Sequence, residues 1–282
     1  MSLDIDHLRT WIGRTETGVD DVTEAQTRGM IATLDRQDAV QPGDELPPSW
    51  HWMYYFQPAV RQSELGPDGH AARGGFLPPV PLPRRMWAGG DLRFHAPLRV
   101  GRRIERLSRI ADVRMKEGRT GPLVFVNVEH ELRSDGALVI TERQDIVYRE
   151  MPGSDEPLPA GQPAPSDAQW TRTIVPDDVM LFRYSALTFN GHRIHYDRRY
   201  TTEVEGYPGL VVHGPLIATL LLDLLRREQS EASVKAFKFR AMRPIFDIAP
   251  FTVHGRRLDG EVHLWAATPD GQLAMDARAS LD

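Results

Sequence analysis

Residues 213–228, HGPLIATLLLDLLRRE, carry charge only toward their end and are otherwise apolar nearly all round. A helix without a polar stripe has to be enclosed on every side, so the rest of the chain must supply a wrapper for it. Gly214-Pro215 opens the helix, at a position where proline sacrifices no hydrogen bond. The wrapper is legible in residues 235–281, where apolar and polar residues alternate between turn signals. A strand there meets Pro244, a second strand follows, and Asp270-Gly271 marks a hairpin. Residues 91–149 run through the same events, with Pro97 after the first strand and Asp135-Gly136 in the hairpin. Ahead of them, residues 19–36 read as an amphipathic helix whose N-terminal end is favoured by Asp20, Asp21 and Glu24. Helix followed by about four antiparallel strands, twice, is an α+β arrangement with a weak internal repeat. A curved antiparallel sheet around one buried helix in each half is the economical solution.

Between the halves, residues 151–170 hold prolines at 152, 157, 159, 163 and 165. Proline fixes its own φ and pushes its predecessor extended, so the stretch is neither helix nor central strand. It reads as a semi-rigid linker between a domain at 1–150 and one at 171–282, with a proline-rich loop inside one domain as the alternative. The 282 residues suffice for two such units. A net charge of −5 without basic runs argues against a nucleic-acid partner. No apolar stretch approaches the roughly 18 residues of a membrane span. The N-terminal MSLDIDHLRTW has acidic residues and no apolar signal core, so a cytoplasmic location is expected. The absence of cysteine removes disulfides, thiolate zinc sites and cysteine nucleophiles together.

The densest polar cluster lies between the linker and the buried helix. It runs from Leu181 to Asp197 and contains Arg183, Asn190, His192, Arg193, His195 and Asp197, with His213 following at the mouth of the helix. Histidine is the side chain most easily poised near neutral pH, and loops on rigid scaffolds are where sites concentrate. A polar surface loop with hydrogen-bonded histidines is the competing reading. The spacing of His192, His195 and Asp197 does not match a metalloprotease helix, so no metal is expected. No Gly-x-Ser-x-Gly elbow occurs, and Gly74-Gly75 and Gly89-Gly90 fit neither dinucleotide nor P-loop spacing.

Asn190-Gly-His-Arg-Ile-His195 resembles the motif of the hydratase-2 (MaoC-like) family, in which an Asp and a His stand five apart in an Asp-x-Asn-Pro-x-His frame. Gly206-Tyr-Pro-Gly209 and Val212-His-Gly-Pro-Leu216 are similar to that family's loop leading into its central helix. Gly74 to Gly90 looks like a segment of the branch containing 3-hydroxyacyl-thioester dehydratases and mesaconyl-C4-CoA hydratases. The resemblance spans about the whole chain and implies a double hot-dog fold. It also implies reversible syn addition of water across the double bond of a 2-enoyl-CoA, without a cofactor beyond the CoA of the substrate. On that reading His195 is the general base, worth about 10²–10⁴-fold. The Gly214 amide, at the positive end of the helix, would hold the thioester oxygen. Asn190 departs from the family's Asp. A neutral amide abstracts no proton, so it would orient water or substrate.

Asp197 either polarises His195 or points outward, and His192 stacks, binds substrate or does neither. Arg183, Arg193, Arg240 and Arg243, with Arg84 and Arg85 from the first half, could grip CoA phosphates or a substrate carboxylate, and His213, at the mouth of the helix, is expected among the substrate-binding residues. A dicarboxylic acyl group such as mesaconyl or itaconyl would want one arginine in the pocket. A fatty chain would want an apolar tunnel, which Trp50 to Phe56 could line if they are not simply core. The first half lacks the Asn-x4-His pair and is expected to shape the pocket without reacting. A fatty-chain dehydratase, a hot-dog thioesterase using Asp197 and a non-catalytic acyl-CoA sensor remain alternatives. Two fused halves make a pseudo-dimer, so a monomer suffices, with a homodimer expected on general grounds.

Overall fold

The computed structural model describes residues 3–54, 60–118, 121–151 and 161–282. In chain order the elements are α1 (Ile5–Arg9), β1 (Thr15–Asp21), α2 (Glu24–Thr33), β2 (Arg84–Phe94), β3 (Arg103–Gly118), β4 (Gly121–Ser134) and β5 (Ala137–Arg149). After these come β6 (Trp170–Ile174), α3 (Asp178–Leu187), α4 (Gly214–Glu228), β7 (Val234–Ala241), β8 (Phe251–Leu258), β9 (Glu261–Ala267) and β10 (Leu273–Leu281). The strands form one sheet in the order β1-β3-β4-β5-β2-β7-β10-β9-β8-β6. Read from both ends, the order is the same path taken twice. β1 and β6 occupy the edges, β2 and β7 meet in the middle, and α2 of the first half packs on α3 of the second. The repeat in the sequence is therefore a structural pseudo-dyad.

The seam is antiparallel, from Gly89↔Arg240 to Arg93↔Ala236. Gly89-Gly90, which matches no phosphate loop, has its role here. A Cβ on Gly89 would come within 2.7 Å of the Phe239 carbonyl oxygen, and one on Gly90 within 2.7 Å of the Phe239 ring. Only glycine lets β2 and β7 approach this closely. The hairpin between β4 and β5 turns at Asp135-Gly136, with φ of 50° and 78°, the left-handed pair that a tight two-residue turn requires.

The apolar helix of the sequence is α4. Leu216, Leu220, Leu221 and Leu224 are all buried, and β6, β8, β9 and β10 wrap it. The described residues of the first half hold no helix of comparable length. The corresponding place between α2 and β2 carries the short 3-10 turn Trp50–Met53. The helix expected at 19–36 begins later, because Asp20 and Asp21 extend β1 along β3 and Thr23 caps α2 by accepting from the Gln26 amide at 3.3 Å. Of the 151–170 stretch, residues 152–160 lie outside the described residues. Residues 161–169 lie along the second half: Leu273 donates to the Gln162 carbonyl, Ala164 to that of Gly271 and Gln169 to that of Gly255.

One acid interrupts the apolar run of α4. Asp223 is 4% exposed, and Arg36 (2.9 Å), Arg172 (2.8 Å) and Arg227 (2.7 Å) converge on its carboxylate. A buried charge is tolerated only when paired, and these partners come from three segments, one of them in the first half.

Candidate active site

His195 lies in a 3-10 turn, Arg193–His195, between α3 and α4. Two bonds fix it to the strand-like segment before α4. The Val211 amide donates to the Ile194 carbonyl at 2.9 Å, and His195 Nδ1 lies 2.7 Å from the Val211 carbonyl oxygen. A carbonyl only accepts, so Nδ1 carries the proton and Nε2 keeps its lone pair. His195 is 7% exposed, and burial pushes its pKa down from 6.5 to about 4. At neutral pH the ring is therefore an uncharged base with one nitrogen available.

Its neighbour is the N-cap of α4. The His195 and His213 rings stack with centroids 3.7 Å apart and planes at 19°. His213 is fully buried, its Nε2 lies 2.8 Å from the Ser185 hydroxyl, and burial holds its pKa well below the usual value. The imidazole of His195 thus stands against the first turn of the apolar helix. Gly214 is the first residue of α4, where the amide has no partner within the helix. A Cβ there would meet only the Trp87 carbonyl oxygen, at 3.8 Å. Gly214, His195, Asn190 and His192 line one cavity of about 1730 Å³.

Asn190 is placed by the end of α3. The Asn190 amide donates to Ser185 O and the Phe189 amide to Ala186 O, closing the helix with Phe189 in the left-handed region at φ 48°. A bulky residue in that region costs about 1–2 kcal/mol, which the double closure offsets. The Asn190 Oδ1 then accepts from the His192 amide at 3.0 Å, so its carbonyl end is committed to the loop.

Asp197 answers the question left open by its position. One carboxylate oxygen takes the Arg193 guanidinium at 2.7 and 3.0 Å, and the other accepts from the Tyr200 amide. It polarises Arg193, not His195. Arg193 itself lies over the Tyr200 ring and donates to the Pro67 carbonyl, so it ties loops together. Arg183 is exposed on α3 and Arg240 exposed on β7, and neither lines the cavity, whereas Arg243 does. Trp50, Met53 and Tyr54 are core, Trp52 lines the cavity against Trp87 at 5.0 Å, and Tyr55 and Phe56 lie outside the described residues.

The first half is closer to the chemistry than its missing motif implied. The turn Gly66-Pro67-Asp68-Gly69 docks on residues 191–193, with the Arg193 amide donating to Asp68 O at 2.9 Å. Gly69 is packed so tightly on the Gly191 carbonyl that no Cβ would fit. The turn delivers His70, whose ring lies 4.0 Å from that of His192, which is edge-on to His195 at 5.3 Å. Burial and the nearby Arg85 charge push His70 down to about 4. Burial alone would raise the Asp68 carboxyl, but the hydrogen bonds and charge of His70 hold it below the usual range. The cue in the sequence was a turn-forming Pro-Asp-Gly immediately before a histidine. Asp68, His70 and His192 bring one ligand atom each within 4.8 Å of one another. Both oxygens of Asp68 already accept from His70, from its amide at 3.1 Å and from Nδ1 at 2.9 Å. A metal there would have to displace these bonds.

Residues 49–247, about seven-tenths of the chain, match the family described as hydroxyacyl-thioester dehydratase type 2. The chain belongs to that family. Within it, the chain is 50% identical over 275 residues to the mesaconyl-C(4)-CoA hydratase of Chloroflexus aurantiacus, covering 96% of both. A solved structure called a MaoC-like dehydratase superposes with a TM-score of 0.72 at 14% identity, over 96% of this chain and 98% of the other. A Mycobacterium tuberculosis protein described as having a double hotdog fold superposes at 0.60 and 13% identity, over 96% of each. The fold is a double hot dog, and the chain is a hydro-lyase of the dehydratase type.

Proposed function

We propose that the protein adds water reversibly across the double bond of a 2-enoyl-CoA whose acyl group is short, branched and dicarboxylic, as in mesaconyl-C4-CoA. The observation that carries the reaction is the neutral His195, with Nε2 free, standing against the first turn of α4. Nε2 takes a proton from water as the oxygen bonds to the β carbon. The electrons of the double bond move toward the thioester, whose oxygen gains negative charge and is held by the Gly214 amide. The imidazolium then returns its proton to the α carbon from the same side, so addition is syn and His195 ends as it began. An amide donor aimed at such an oxygen is worth about 3–4 kcal/mol. Asn190 transfers no proton and holds the loop that presents His195.

The dicarboxylic substrate is supported by the half-identical Chloroflexus relative, whose name carries it. A thioesterase is disfavoured because its candidate carboxylate, Asp197, is bound to Arg193. No cofactor is needed for these steps. No described helix is long and apolar enough to cross a membrane. A cytoplasmic enzyme that pairs with a second copy is the setting that the lack of cysteine and the prevalence of symmetric dimers support. The test follows the conjugated enoyl-thioester absorbance and free thiol together, with mesaconyl-C4-CoA, itaconyl-CoA and crotonyl-CoA side by side. Loss of absorbance without thiol, fastest with a dicarboxylic substrate, is expected. Thiol release, or binding without either change, contradicts the proposal.

A further inference from the structure

Arg85 stands on β2 directly across from Tyr148 on β5, and both side chains face the cavity. The guanidinium lies beside the Tyr148 hydroxyl, and its positive charge bears on both His70 and His192. Arg73 adds a second positive charge to the same wall, its guanidinium held by the Val80 and Pro83 carbonyls. Arg84, one residue away, is neutralised: Glu205 pairs with it at 3.5 Å and Tyr207 lies under its guanidinium. Arg85 has no such acid. Asp68, which also lines the cavity, has both oxygens turned to His70, and among the described residues no Asp or Glu forms an ion pair with Arg85. A half-buried cation beside a phenol, left without a counter-charge in a substrate cavity, is arranged to receive an anion.

We propose that Arg85 and Tyr148 form the subsite for the free carboxylate of the acyl group, and so select a dicarboxylic enoyl-CoA over a plain one. The inference rests on the hydratase reading above. The placement fits the chemistry. His70 lies 4.0 Å from His192, which is edge-on to His195 at 5.3 Å, and the Arg85 charge acts on both His70 and His192, so Arg85 borders the reacting centre. A carboxylate borne on the β carbon, where water adds, sits next to the base, and Arg85 lines the same cavity as His195 and Gly214. The guanidinium fork would take both oxygens and the phenol would donate to one. A straight chain would instead press methylenes against an uncompensated charge. Arg84 and Arg85 stand adjacent in the sequence, and only the structure separates the neutralised one from the available one.

The experiment measures kcat/KM for wild type, Arg85→Gln, Arg85→Lys and Tyr148→Phe on mesaconyl-C4-CoA and on crotonyl-CoA, with thermal unfolding as the control for folding. Truncating one partner of a desolvated charge pair lowers the specificity constant by roughly 10²-fold or more. Arg85→Gln is expected to show that loss on the dicarboxylic substrate alone and to keep or improve crotonyl-CoA. Arg85→Lys should recover part of the loss, and Tyr148→Phe should lose about tenfold, again on the dicarboxylic substrate only. An equal loss on both substrates means that Arg85 holds the CoA phosphates or the fold, and overturns the subsite. No loss on either overturns it too. If wild type hydrates crotonyl-CoA but not the dicarboxylic substrate, the hydratase reading stands and the subsite falls. If wild type hydrates neither, the hydratase reading itself fails.

Discussion

Acidification from about pH 7 toward 5 is expected to unfold this protein through its buried imidazoles. His130 and His195 are 5% and 7% exposed and His213 is fully buried. Burial pushes the first two from 6.5 down to about 4 and holds the third well below its usual value. Folded-state values below the unfolded one mean that the folded protein refuses a proton that the unfolded chain accepts. The stability from keeping these rings neutral is therefore complete above about pH 6.5 and is lost as pH falls toward the folded values. Each ring contributes about 1.4 kcal/mol per pH unit in that window, about 4 kcal/mol per unit for these three. His70 and His192, which burial also holds below their usual value, add to it. Against a total of about 5–15 kcal/mol, one and a half units are enough to threaten the fold. Glu142 does not blur the window. Its burial favours the neutral acid, but the hydrogen bond and charge of His51, with His130 and Gln144, together outweigh that and hold it at about 2, so its share is lost only below about pH 4.5. Urea unfolding followed by far-UV circular dichroism at several pH values between about 7.5 and 5 measures the slope. His130→Gln should remove about 1.4 kcal/mol per pH unit of it. Stability that stays flat across that range would refute the assignment of these rings as buried and neutral.

Other perturbations have outcomes fixed by single contacts. Asp223→Asn leaves three arginines gathered on a neutral amide and should cost about 3–5 kcal/mol, seen as a fall of roughly 5–10 °C in Tm. Gly214→Pro should fold, because a first helical position accepts proline, yet lose about 10²–10³-fold in kcat with the amide gone; Gly214→Ala should keep most activity. Ser185→Ala removes the partner of His213 Nε2 and should lower stability by about 1–3 kcal/mol in chemical denaturation. Asn190→Asp should stay folded and active, since a carboxylate oxygen accepts from the His192 amide as well as the amide oxygen does. A collapsed circular-dichroism spectrum would contradict the role given to Asn190.

What was legible in the sequence was local. The all-round apolar run of 213–228 announces a wrapped helix, and Asp135-Gly136 and Asp270-Gly271 announce hairpins, because each rests on a few adjacent residues. His195 and Gly214 stand out because the motif and the helix start lie within twenty-five residues of each other. The unread parts depend on residues distant in the chain. Nothing near Asp223 reveals that Arg36 will reach it across 187 positions, or that His70 will lie on His192. Asp20 and Asp21 carry the composition of a helix start, yet pairing with β3 makes them strand. The first half lacked the reactive motif but supplies one wall of the cavity through a turn whose composition alone names no chemistry.

The central claim is that a neutral imidazole at position 195 moves the proton at the first turn of α4. His195→Gln keeps the hydrogen-bonding size of the ring and removes the base, and following loss of enoyl absorbance on crotonyl-CoA and mesaconyl-C4-CoA tests it directly. A fall in kcat of about 10²–10⁴-fold on both substrates, with unfolding at neutral pH little changed, is the predicted result. Turnover close to that of wild type on either thioester would contradict the claim.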